Sequence, residues 1–99
     1  ILVVSIREGS MDRSILLKKA AEIISGERNE KYGPAEENFK YIAEFWSIYL
    51  GKEIKLVDVS NMMILMKMAR TINDKSHIDN YLDTAGYAAL AAEVVDHDL

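Results

Sequence analysis

A chain of 99 residues has room for one domain at most, and folding at this size buries roughly 60–65% of the surface that the unfolded chain exposes. Apolar residues at 49% and a single proline favour a packed helical core over disorder, while a formal charge of −4 leaves no cationic surplus for gripping a phosphate backbone, which argues against broad nucleic-acid binding. The absence of cysteine excludes disulfides and thiolate metal sites, compatible with a reducing cytoplasm, and no apolar run approaches the ~20 residues that a membrane-spanning helix needs.

The opening ILVVSI is too short for a signal-peptide core, so residues 1–11 read as an N-terminal extension, a cloning scar, or an arm covering a neighbouring subunit. Residues 12–99 read as a single all-α domain. From Asp12, apolar residues Ile15, Leu16, Ala20, Ile23 and Ile24 recur at helical spacing, and Gly26 supplies a stop. The polar connector ERNEKYG leads to Pro34, whose missing N–H costs nothing at a first helical position. A second helix over 35–50 presents Phe39, Ile42, Ala43, Phe45, Trp46 and Tyr49 as a wide apolar face, and Gly51 ends it. The third helix, over 56–72, contains MMILMKMA, apolar around almost its whole circumference, which predicts a central position. TINDKSH breaks it. The fourth helix, over 78–96, is rich in small residues from Ala85 to Ala92 that permit close approach of a neighbour. Four helices with short connections predict an antiparallel four-helix bundle or a helical-hairpin variant of one.

Two constellations exceed what a core requires. Lys67 and Arg70 share one face of the third helix, while Asp79, Asp83 and Tyr87, flanked by Asn80, form a stripe on the fourth. Antiparallel packing of these consecutive helices places the two cations opposite the two aspartates. One reading is a partly buried salt-bridge network that fixes the hairpin. Such networks gain little net stability, because burying each ion costs several kcal/mol unless it is paired. The other reading is chemical: carboxylates one turn apart hold a hard divalent cation, and Lys and Arg meet phosphate oxygens. The loop contributes Arg28, Glu30, Lys31 and Tyr32. Glu36 fits a helix-dipole role and pairs with Lys40, whereas Glu37 and Glu44 lie on one face two turns apart, and Asn38 is a poor interior helix former available to a ligand. His77 and His97 are too isolated for a transition-metal site.

From Leu16 to Val94 the segments ERNEKYGPAEENF, IAEFW, MMILMKMAR and HIDNYLDTAGYAAL resemble a phage-associated family of small uncharacterised proteins. That family in turn resembles the MazG-like all-α nucleoside triphosphate pyrophosphatases. The resemblance implies an oligomeric all-α enzyme of the host cytoplasm that binds Mg²⁺ through acids on two facing helices and cleaves a nucleotide between its α and β phosphates. Asp79 and Asp83 match the acids of one helix, although the enzymes usually carry E-x-x-D there. The facing E-x-x-E pair is replaced by Lys67 and Arg70, so charge is inverted at that position. Either Glu37 and Glu44 replace the lost ligands, or the site is a metal-independent phosphate pocket, or it is only a salt-bridged core. An active enzyme would use Asp79, Asp83 and Glu37 as catalytic ligands, with Glu44 as a further metal ligand, and Lys67, Arg70 and Arg28 for phosphates; Trp46 or Tyr32 are candidates to stack a base, although aromatics at helical spacing more often belong to a core. The competing expectation is a catalytically inactive homodimer or higher oligomer, with a structural or interaction role. A DNA-binding helix-turn-helix fits poorly, since the third helix is too apolar to lie in a groove.

Overall fold

The computed structural model describes residues 11–26 and 35–98, with side chains described over 11–26 and 37–95. Among these residues the chain is all-helical, with no strand. The helices are α1 (Arg13–Ser25), α2 (Ala35–Leu50), α3 (Leu56–Arg70) and α4 (Ile78–Asp98). None is long and apolar enough to cross a membrane. The opening ILVVSI and the loop residues Arg28, Glu30, Lys31 and Tyr32 lie outside the described residues.

Local chemistry sets the helix ends. The Asp12 carboxylate caps α1, accepting from the Ser14 hydroxyl at 2.6 Å and its backbone N–H at 2.7 Å. These bonds, the hydroxyl's first, hold the carboxyl below its ordinary range. At the end of α2, Gly51 takes φ +65°, and the Lys52 N–H donates to the Ser47 carbonyl at 3.2 Å, closing the turn in a Schellman arrangement. The Ser47 hydroxyl ties the following loop down: it donates to the Ala43 carbonyl at 2.7 Å and accepts from the Ile54 N–H at 2.8 Å. Asp58 then accepts from the Lys55 N–H at 2.9 Å and opens α3. A Cβ on Gly51 meets nothing within 4 Å, so replacing it costs only conformational strain. Gly51→Ala is expected to lower stability by about 1 kcal/mol in thermal or urea unfolding.

The α3–α4 pair packs most extensively, α1 lies on α4, and α2 lies on α3 with a lighter contact to α4. The buried core joins Phe39 and Ala43 of α2 to Val59 of α3 and Leu90 of α4, with Ile24, Trp46, Met63 and Tyr87 packed around them. Phe39 and Tyr87 stack at a centroid separation of 6.1 Å, which ties α2 to α4.

Three sequence expectations need correction. Helix α3 is not enclosed: Leu65 is exposed, Met62 and Met68 are partly so, and only Val59 and Ser60 are buried. The reason is topological, since α1 packs on α4 and leaves much of α3 without a neighbour. Helix α3 also stops at Arg70 rather than at residue 72. The Thr71 hydroxyl and N–H both bond the Met68 carbonyl, at 2.6 and 3.0 Å, and the backbone tightens into three-residue turns through Asn73. The small residues of α4 do not all serve close approach, because a Cβ on Gly86 would meet nothing within 4 Å.

Candidate functional site

Lys67 and Asp83 lie eight residues either side of Lys75, in the middle of the α3–α4 connection, so an antiparallel hairpin sets them level. They touch: Nζ stands 2.7 Å from Oδ2. The lysine side chain is 12% exposed and the aspartate 37%, a pair half withdrawn from water. At this depth the ion pair is screened less than a surface bridge, and either ion alone would be poorly solvated.

The other members of the expected four-charge cluster stand apart. The Asp79 side chain is 75% exposed, and the basic group within 4 Å of it is His77, itself exposed, with Nε2 at 4.0 Å. Arg70 is exposed and forms no ion pair among the described residues. The hairpin thus joins Lys67 to Asp83 and leaves Arg70 and Asp79 facing solvent one turn nearer the connection. Asn80, between the two aspartates, is buried.

Glu37 and Glu44 point into solvent from α2. Among the described residues no three Asp, Glu or His side chains gather closely enough to hold a metal ion. A magnesium ion at this hairpin would find Asp79 and an Asp83 already held by Lys67, which does not fit a site built from one chain's described residues. Arg28 lies outside the described residues, and Asn38 is half buried. Trp46 packs against the core cluster, which gives its ring an ordinary structural role.

Beside Asp83, a small groove of about 50 Å³ opens between α1 and α4, lined by Ala20, Ile23, Leu82, Gly86 and Tyr87. It is apolar apart from the aspartate and the tyrosine, and its lining holds no cationic side chain to meet a polyphosphate. Sequence reasoning did not anticipate Ser60, which is fully buried with its hydroxyl unpartnered. No sequence pattern separates it from an exposed helical serine.

The fold and this pair define a small all-α domain whose charged feature is a cross-hairpin ion pair. The chain belongs to the family described as "Domain of unknown function (DUF6378)", which it matches over residues 15–95. It is similar to the Gene 55 protein of Mycobacterium phage D29, 47% identical over 81 residues, covering 82% of this chain and 54% of the relative. It is also similar to the Gene 55 protein of Mycobacterium phage L5, 45% identical over 76 residues, 76% of this chain and 49% of the relative. The family is therefore phage-associated, and the chain spans about half the length of these curated relatives. No solved structure matches it.

Proposed function

We propose that this domain is an assembly module, a helical unit that associates with a second copy of itself, and that the Lys67–Asp83 pair serves to fix the hairpin that supports the assembly. The observation that carries this reading is the exposure of large apolar side chains on a regular helix: Phe45 at 68%, Ile48 at 78% and Tyr49 at 88%. Isolated exposed leucines are ordinary, whereas aromatic and aliphatic residues stacked along successive turns mark a contact surface. The closed ion pair supports the same reading, because a metal-dependent site needs its carboxylates free to bind.

The test is light scattering of the eluting protein across a concentration series, together with calorimetric titration of magnesium and then of nucleoside triphosphates. A dimer or larger species that takes up neither ligand is the expected result. A monomer at every concentration overturns the assembly reading.

A second reading keeps the resemblance to MazG-like enzymes: a nucleotide pyrophosphohydrolase using Asp79 and Asp83 with Glu37 and Glu44 as ligands for Mg²⁺, and Lys67, Arg70 and Arg28 for phosphates. One observation favours it. Asp79 and Arg70 stand exposed beside the pair, leaving a carboxylate and a guanidinium free for a charged ligand. Magnesium-dependent nucleotide binding that disappears in Asp83→Asn, followed by pyrophosphate release, establishes this reading and displaces the first.

A further inference from the structure

The wide apolar face expected of α2 is divided by the fold. Phe39, Ala43, Ile42 and Trp46 turn to the core, and Tyr41, Phe45, Ile48 and Tyr49 turn out. The outward stripe follows the spacing i, i+4, i+7, so it forms a straight ridge along one side of the helix. An open groove of about 850 Å³ runs beside it, lined by Tyr41, Phe45, Ile48 and Ile54 and by the charged side chains of Lys40 and Glu44 on α2 and Glu53 and Lys55 on the loop that follows.

Two pairs on this surface repeat at the same interval. Tyr41 and Phe45 are four residues apart, and so are Lys40 and Glu44. Both charges are exposed, and they form no ion pair with each other or with any described residue. A pair of opposite charges one turn apart is complementary to itself reversed. We propose that α2 packs antiparallel on α2 of a second copy of this chain, about a two-fold axis crossing the helix between Ile42 and Ala43. This rests on the assembly reading and names its surface and register.

In that register Lys40 lies within one residue of the level of the partner's Glu44 and Tyr41 within one residue of the level of the partner's Phe45, close enough for each contact to form, and each is made twice, as an isologous interface requires. The axis also falls at the midpoint of Ala35–Leu50, so the two helices overlap along their full length. The area is sufficient. Tyr41, Phe45, Ile48 and Tyr49 expose on the order of 600 Å² together, taking about 200 Å² for a whole aromatic side chain, and two copies bury about 1,200 Å², the threshold of a stable interface. The other exposed apolar residues, Met62 and Leu65 on α3 and Ile72 just beyond it, show no comparable pair of opposite charges one turn apart on the helix: the exposed polar residues of α3 beside them are Asn61 and Arg70.

The test uses the whole chain and surface substitutions that leave the core intact, read by analytical ultracentrifugation and by the helical circular dichroism of each variant. Phe45→Asp is expected to raise the dimer dissociation constant by at least ~30-fold with helicity unchanged. Lys40→Glu and Glu44→Lys are each expected to weaken self-association by about tenfold, since each sets like charges face to face. Mixing those two variants restores a heterodimer, because every contact across the axis is again opposite in sign. A wild-type dimer that is indifferent to Phe45→Asp overturns this surface and leaves self-association standing through another, Leu65→Asp being the comparison. A dimer broken by Phe45→Asp whose two charge variants fail to pair overturns the register. A wild-type monomer overturns this inference and the assembly reading together.

Discussion

Replacing Phe39 by alanine is expected to destabilise the domain by about 3–4 kcal/mol, the largest loss from any single truncation of its described core. Phe39 is buried, and it sits where three helices meet: on α2, against Val59 of α3, with its ring stacked on Tyr87 of α4 at 6.1 Å. Truncation removes the transfer free energy of the ring and leaves a cavity that Ala43 and Val59 are too small to fill. Helix α2 has little else to hold it to α4, so the site cannot relax by small shifts of several neighbours. For a domain of this size each kcal/mol lowers the melting temperature by roughly 4–8 °C, so a fall of about 12–30 °C is expected by calorimetry. Leu65→Ala, a comparable truncation at an exposed position of α3, should stay within ~0.5 kcal/mol of the parent. Equal effects at the two positions would mean that Phe39 is not at the junction.

The same residue shows what the sequence makes legible. Gly51 follows the last residue of α2 at φ +65°, as glycine's tolerance of positive φ predicts, and the helix runs Ala35–Leu50 as its apolar pattern suggests, while Pro34 lies outside the described residues. The end of α3 was less legible. Nothing in the order Arg70, Thr71, Ile72 says that a hydroxyl will capture the Met68 carbonyl and tighten the turn. Which half of an apolar circumference meets a neighbour is also a tertiary matter. Six apolar positions on α2 gave one wide face in sequence, and the fold divided it between core and solvent once α3 and α4 had covered one side. The apolar run in α3 predicted burial on all sides, yet burial needs neighbours on all sides, and α1 went to α4.

At the candidate site the hairpin register was legible because antiparallel packing follows from a short connection, and Lys67 reaches Asp83 accordingly. Spacing on each helix also suggested that Arg70 and Asp79 would join them. They do not. Both lie one turn nearer the connection, where side chains are solvated and an exposed pair gains little over water. The placing of Glu37 and Glu44 with the aspartates had even less support in the pattern, since residues on one face of α2 are fixed relative to each other and free relative to α4.

The Lys67–Asp83 pair provides the second large effect, through a double-mutant cycle. Asp83→Asn is expected to cost roughly 1–3 kcal/mol, because it leaves the Lys67 ammonium at 12% exposure with a neutral partner, and the 37% exposure of Asp83 keeps the loss below that of a fully buried pair. Lys67→Met should cost less, about 1 kcal/mol, since the better exposed carboxylate can recover water. The double variant Lys67→Met/Asp83→Leu is expected to return to within ~1 kcal/mol of the parent or to exceed it, because apolar contact replaces two desolvated charges. Stability alone therefore gives no reason to retain the pair. If the double variant is as stable as the parent and assembles as the parent does, the pair is dispensable to the module, and any loss of ligand binding in that folded protein belongs to chemistry at Asp83. If the double variant instead loses assembly while staying helical, the pair acts through the hairpin geometry that presents α2, and the charges serve the interface from a distance.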